Sequence, residues 1–324
     1  IFGAYTFFLR HSGKYRYWKS FYARHQRSSI DQLKSIQSDR LTSFLSEVLT
    51  YSPYYKSLFK TITPSPPSLS DFPILTKSQL VLNVDSIKSC RRKRLHKSYT
   101  GGTTGASLCV YYQSEDLQER FALLDFFREY HGYTHRQPTA WFSGKELLTH
   151  SDIQAGIFYR DDYFNNIRYF SSFHITSTFL ASIINSFVRF KPAFVVGFPS
   201  TVFDICVFAK TNNIELTGFV QVFFPTAESM LQHQIELIKE VLGCNIFDQY
   251  ASSEGAPFIL ECEYNHKHIN LLSGVFEVLD SHLQPATQGS LVVTSFSTRG
   301  TPLIRYSIED NVTLEDSTFI CKCG

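Results

Sequence analysis

Three observations predict an α/β fold built from βαβ units on a parallel sheet, preceded by a helical segment and followed by a smaller β-rich subdomain. Apolar residues recur at helical spacing through 29–60. Strand-like and helical stretches then alternate from about 108 to 250, and from about 270 strand-like stretches follow one another across turn residues with no helix between them. At 324 residues the chain exceeds the roughly 250–300 residues at which one hydrophobic core stops growing, so subdomains are expected. The boundaries read as a helical segment and linker over 1–70, an α/β core over 71–269 and the β-rich part over 270–324.

In the helical segment, Leu33, Ile36, Leu41, Phe44, Leu45, Val48 and Leu49 form one apolar stripe. The run TPSPPS at 63–68 ends it, because proline lacks the amide donor and restricts the residue before it. CVYY at 109–112 reads as a strand. SEDLQERFALLDFFREYHG reads as a helix with Ser114 as N-cap, Leu117, Phe121, Leu124 and Phe127 at helical spacing, and Gly132 past its end. TAWFSG, AFVVGF and FVQVFF are further strands, separated by helices near 177–190 and 200–211. A helix over ESMLQHQIELIKEVLG stops at Gly243, and CNIFDQY is a short strand feeding the polar turn ASSEG. GVFEVLD, GSLVVTSFS and TPLIRYSIED supply the β-rich part.

Composition excludes several classes. With 43% hydrophobic and 19% charged residues, including 30 Phe and 18 Tyr, the chain can bury a core and is not disordered. A net charge of +2 gives no field for nucleic acid or anionic membrane. The most apolar stretch, AFVVGFPSTVFDICVFA, is interrupted by Pro199 and Asp204, so no membrane span is expected. Seven scattered cysteines with no leader before them suit a reducing cytoplasm.

The chemistry concentrates in a few stretches. SYTGGTTGAS at 98–107 is rich in amides without a neighbouring Cβ and in hydroxyls, a backbone suited to cradling an anion. It follows the basic run RRKRLHK at 91–97, which reads as a solvated loop or as steering for an anionic nucleotide. The loop matches neither the Walker pattern nor G-x-G-x-x-G, so an ordinary glycine turn stays open beside a phosphate cradle. Cys262, His268, Cys321 and Cys323 offer three thiols and an imidazole, a complement for a closed structural zinc, with His266 competing for the His268 place and free thiols as the alternative.

Four stretches in order, DFPILTKSQL, YTGGTTGASL, QYASSEG and GSLVVTSFSTRGTPLIRYSIED, resemble the adenylate-forming superfamily, within it the phenylacetate-CoA ligase family and its CapK-like branch, associated with capsular polysaccharide biosynthesis. The resemblance implies the large N-terminal domain of such an enzyme. It implies ATP-dependent activation of a small carboxylic acid to an acyl adenylate, followed by thioester formation with coenzyme A. Thr100, Gly101, Gly102, Thr103, Thr104 and Gly105 would cradle phosphates, with Thr103 and Thr104 counted among the catalytic groups. Relatives often carry Pro and Lys after the last glycine where this chain has ASL. Tyr250 would lie against adenine, Glu254 would ligate Mg2+, and Thr226, Ala227 and Glu228 would line the adenine side. Thr226 and Glu228 also read as the cap and first-turn acid of the helix that follows. Asp310 would hold the ribose hydroxyls, beside Glu309 where relatives often have Gly. His174 would sit beside the substrate carboxylate. Some relatives hold zinc with the ligand order of the cysteine and histidine set, and a homodimer is implied. Relatives continue into a mobile C-terminal domain bearing a lysine, and the chain reads as truncated before it. A non-catalytic ATP- or acyl-binding scaffold of the same fold is the alternative, and a zinc-stabilised nucleic-acid binder is disfavoured by the weak charge.

Overall fold

The computed structural model describes residues 2–59, 67–92, 94–99, 108–144, 147–316 and 318–323. The glycine loop, Thr100 to Gly105 included, lies outside the described residues. In chain order the helices are α1 (Phe2–His11), α2 (Tyr15–His25), α3 (Ile30–Tyr51), α4 (Pro53–Leu58), α5 (Lys77–Ile87), α6 (Ser114–Tyr130), α7 (His150–Gln154), α8 (Ser177–Phe190), α9 (Pro199–Thr211) and α10 (Gln232–Leu242). The strands are β1 (His96–Tyr99), β2 (Cys109–Tyr112), β3 (Thr139–Ser143), β4 (Tyr159–Asp162), β5 (Ile167–Ser171), β6 (Phe194–Gly197), β7 (Val222–Pro225), β8 (Asn245–Ile246), β9 (Gln249–Tyr250), β10 (Ile259–Glu261), β11 (Lys267–Ile269), β12 (Gly274–Leu279), β13 (Gln288–Ser295) and β14 (Tyr306–Thr313).

Two compact units result, one of residues 1–8, 127–250 and 260–267, the other of 9–126, 251–259 and 268–324. The first is organised by a six-stranded sheet in the order β4-β5-β3-β6-β7-β8. β5, β3, β6, β7 and β8 run parallel and β4 is an antiparallel edge. Every residue of β6 and β7 is buried, which is why these segments read as continuous apolar runs; a parallel sheet covered by helices on both faces has no wet side. Phe142, Phe170, Phe187 and Phe223 pack with Ile183, Val202 and Ile205 into one core, each such side chain worth roughly 1.5–3 kcal/mol on burial.

Numbered from β3, the parallel strands follow the doubly wound order in which the chain reverses direction between its first and third strands, here β3 and β6. The carboxyl ends of these two strands approach closely. A Cβ on Gly197 would stand 2.6 Å from that of Phe142, and one on Gly144 would stand 2.7 Å from the Phe198 ring. α9 starts there with Pro199 in its first turn, where the missing amide costs nothing, and α10 ends on Gly243 in the left-handed conformation, φ 62°.

The second unit joins α2–α5 and the start of α6 to two antiparallel sheets. β1 and β2 pair antiparallel, with Tyr99 opposite Cys109. β12, β13 and β14 form a meander. α3 carries a Ser29 and Gln32 capping box, and α5 carries one from Thr76 and Gln79.

Two expected helix starts differ. α10 begins at Gln232, not near Glu228, so Thr226 does not cap it. Ser114 is the first residue of α6 and not the residue before it, and Asp116 in the first turn reaches back to accept from the Gln113 amide at 2.8 Å.

Candidate active site

In the sheet unit, four predicted residues follow the carboxyl ends of the parallel strands β5 and β7. His174 ends the 3-10 turn Ser172–His174 after β5, its Nδ1 2.8 Å from Ser171 Oγ. Thr226, Ala227 and Glu228 follow β7, and the Thr226 amide donates to the Gly197 carbonyl at 3.0 Å. Ala227 is left-handed, φ 64°, a conformation that costs an alanine and persists where its surroundings dictate it. Glu228 accepts from Ser200 N at 3.0 Å and Ser200 Oγ at 2.9 Å. Its carboxylate therefore engages the first turn of α9, across the sheet end, and not the helix it precedes in sequence.

Tyr250 ends β9. The residue before it, Gln249, is buried and accepts at Oε1 from Arg128 Nε at 3.0 Å. Arg128 itself lies over the rings of Trp141 and Phe224, 5.4 and 5.6 Å from their centroids. Phe247 stacks on His131 at 3.6 Å, and burial lowers the pKa of that imidazole.

In the second unit, stretches far apart in sequence meet around Tyr306. Leu75 of DFPIL bridges to Tyr306, with its amide 2.9 Å from the Arg305 carbonyl and its carbonyl 2.9 Å from the Ser307 amide. Arg305 ties these strands together through Glu277, at 3.0 and 3.1 Å, and through the Phe72 carbonyl at 3.0 Å. Burial raises the Tyr306 pKa, and the nearby Glu254 and Glu309 carboxylates raise it further. Carboxylates of the turn ASSEG and of the end of LIRYSIED therefore both act electrostatically on this hydroxyl.

Asp310 sits in a β-bulge. Ser290 pairs with Asn311 and Val292 with Ser307, so residues 308–310 oppose Leu291 alone. Glu309 takes φ 68° within it, the left-handed conformation that a glycine adopts freely. Glu309 and Asp310 are both exposed, so the bulge turns a carboxylate pair outward from a strand whose start is buried.

Glu254, half-buried, is held by residues that sequence reasoning missed. Arg120 Nη1 donates to the carbonyls of Gly255 and Ala256 at 2.9 and 3.0 Å, and its Nη2 lies 3.4 Å from that of Ser252. Tyr112 donates its hydroxyl to the Ser253 carbonyl at 2.9 Å. Burial pushes the Tyr112 hydroxyl up to about 12, with the Arg120 charge opposing and Asp116 and Glu254 adding. Gly255 has φ 106°, and a Cβ there would stand 2.7 Å from Tyr112 Oη, so only glycine fits.

Beneath this loop lies a buried charge network. Glu119 accepts from Arg40 Nη2, from Arg299 Nη2 at 2.9 Å and from the Tyr22 hydroxyl at 3.2 Å. Asp116 accepts from the amides of Gln113, Arg299 and Gly300 at 2.8, 3.0 and 2.9 Å. The segment FSTRG is thereby pinned to the first turn of α6.

Cys323 Sγ lies 3.3 Å from His268 Nε2. His268, Cys321 and Cys323 offer ligand atoms within 4.8 Å of one another, while Cys262 lies in the turn from β10 to β11, in the first unit. Two thiols and one imidazole within that reach offer part of the ligand set of a tetrahedral zinc, and His268 is the histidine brought to them. No helix among the described residues is long and apolar enough to cross a membrane.

No family model matches this chain. Protein CapK of Staphylococcus aureus is 31% identical over 311 residues, covering 94% of this chain and 68% of that protein. Among solved structures, 2-hydroxyisobutyryl-CoA ligase in an open conformation with 2-HIB-AMP and CoA matches with a TM-score of 0.69 and 16% identity, covering 90% of this chain and 72% of the ligase. The same ligase in its postadenylation state with R3-HIB-AMP matches with a TM-score of 0.70 and 15% identity, covering 90% of this chain and 65% of the ligase.

Proposed function

The chain belongs to the CapK family and has the fold of the adenylate-forming superfamily, and from that premise we propose that it activates a small carboxylic acid with ATP. The substrate carboxylate attacks the α-phosphate, an acyl adenylate forms and pyrophosphate leaves; transfer of the acyl group to coenzyme A then gives a thioester. The activity belongs to the whole protein, of which this chain corresponds to about two thirds of the relatives' length.

One observation carries the reading: Glu254 and Glu309, far apart in sequence, both act electrostatically on one hydroxyl, that of Tyr306, and Asp310 lies in the same bulge as Glu309. Carboxylate-bearing segments that act on one group suit a metal nucleotide. Glu254 supplies a hard oxygen for Mg2+, and the exposed Asp310 supplies an acceptor for two ribose hydroxyls. When bound, the magnesium offsets charge on the phosphates. In the sheet unit, His174, Thr226, Ala227 and Glu228 lie beyond the carboxyl ends of β5 and β7, where ligands of doubly wound sheets bind. The reading assigns His174 to the acid, the 226–228 turn and Tyr250 to adenine, and Thr100 to Gly105 to the phosphates. Zinc on Cys262, His268, Cys321 and Cys323 is structural in this scheme, and the reaction is placed in the cytoplasm, where ATP and coenzyme A are held, in service of capsular polysaccharide biosynthesis.

The test is ATP–pyrophosphate exchange by the whole protein with a panel of aryl, fatty, hydroxy and amino acids. Exchange dependent on one class of acid is expected, and Glu254→Gln or Asp310→Ala should lower it at least about 100-fold, the scale of losing one preorganised group at the reacting phosphate. Absence of exchange with every acid, in protein that still binds ATP, refutes the activity.

A further inference from the structure

We infer that Arg120 is a positioning residue, which holds the Glu254 turn in its metal-binding shape; the inference rests on the role proposed for Glu254. Arg120 is 9% exposed and lies 4.7 Å from the Phe258 ring centroid. Its hydrogen bonds run to the carbonyls of Ser252, Gly255 and Ala256 and to Ser297 Oγ at 3.3 Å. All four acceptors are neutral. The two acids on the same helical turn are taken elsewhere, Glu119 by Arg40 and Arg299, and Asp116 by Arg299 and three amides.

A buried cation without a carboxylate partner among the described residues is expensive. Here it is spent on one segment of five residues. Arg120 fixes the carbonyls on both sides of Glu254, and Tyr112 fixes that of Ser253. Ser252 Oγ closes the turn by accepting the Ala256 amide at 3.1 Å. With these carbonyls held, the Glu254 side chain leaves a backbone that cannot rotate. A guanidinium is suited to the task because its planar fork bonds several carbonyls at once, while a lysine supplies one ammonium. Groups that orient a metal ligand typically change metal affinity about 10–100-fold when lost.

The test uses the whole protein with Arg120→Gln, Arg120→Lys and Tyr112→Phe, and two readouts. One is amide hydrogen exchange of the 251–257 segment against that of β12 and β13. The other is the Mg2+ concentration giving half-maximal ATP–pyrophosphate exchange. For Arg120→Gln the segment should exchange at least about tenfold faster with β12 and β13 unchanged, and half-saturation should rise at least about tenfold while the rate at saturating Mg2+ falls far less. Arg120→Lys should recover part of both. Unchanged protection of 251–257, or half-saturation within about twofold of the parent in folded protein, overturns the inference. Should Arg120→Gln fail to fold, Tyr112→Phe decides: faster exchange confined to 251–257 supports it and unchanged exchange overturns it. A parent protein with no exchange activity refutes the proposed reaction, and the amide exchange of 251–257 still judges Arg120.

Discussion

Replacing Glu119 by Gln should cost the second unit a large share of its stability. Glu119 is fully buried, and its two oxygens collect Arg40, Arg299 and the Tyr22 hydroxyl. Arg40 and Arg299 are balanced by Glu119 and Asp116, so the network is neutral as folded. The amide keeps one acceptor oxygen but turns an NH2 toward a guanidinium donor, and it leaves one buried positive charge uncompensated. Breaking a buried pair from one side typically costs about 3–5 kcal/mol, against a total of about 5–15 kcal/mol for a folded protein. Trp18 reports on the site directly, because the guanidinium carbons of Arg40 and Arg299 lie 4.7 and 5.7 Å from its ring centroid. Urea unfolding followed by Trp18 fluorescence, in a Trp141→Phe background that silences the other tryptophan, should show the loss. A cost below about 1 kcal/mol, the value of an exposed pair, would refute the argument that this network is desolvated. The same network sets a pH dependence. Burial pushes the Glu119 carboxyl up, but Arg40 and then Arg299 outweigh it and hold its pKa below the usual value. Its stabilisation is thus present above the unfolded pKa of about 4.3 and is lost as pH falls through the lower folded value. Burial raises the Asp116 pKa despite Arg299 and three amides, so protonating Asp116 acts in the opposite direction. The stability gap between parent and Glu119→Gln should therefore narrow on acidification below about pH 4.3.

Glu309→Gly should stabilise the chain by about 0.5–1 kcal/mol, because relief of a left-handed φ of 68° outweighs the added freedom of the unfolded backbone; an unchanged or lowered midpoint in thermal unfolding would contradict the bulge geometry. Glu228→Ala should cost about 0.5–2 kcal/mol in chemical denaturation through loss of its bonds at the first turn of α9. Protein purified without chelator should carry about one zinc per chain by elemental analysis. Cys321→Ser should lower that content and remove the loss of stability that EDTA otherwise causes, and metal-free parent protein of full stability would count against a structural zinc.

Helix α6 separates what was legible in the sequence from what was not. Its extent followed from periodicity, and its apolar residues Leu117, Phe121 and Leu124 mark a stripe, yet these three are only half-buried. The deeply buried positions include Asp116, Glu119 and Arg120, which read along the chain as an ordinary polar face. Charges can go inside only where distant partners meet them, and those partners, Arg40, Arg299 and the 252–256 carbonyls, are named by no local pattern. Glu228 is similar: nearness in sequence pointed to the helix after it, while the sheet brought it to α9.

The residues alone determined the strands β6 and β7, the helix between them and the end of α10 at Gly243, since burial on both faces and glycine at a left-handed cap each leave a one-dimensional mark. They also carried the ordered motifs that resemble the adenylate-forming enzymes. The bulge that turns Asp310 outward, the joint electrostatic effect of Glu254 and Glu309 on Tyr306, and the grip of Arg120 on the Glu254 turn belong to the folded chain, because each depends on a register or an interaction between segments that are remote until the backbone closes.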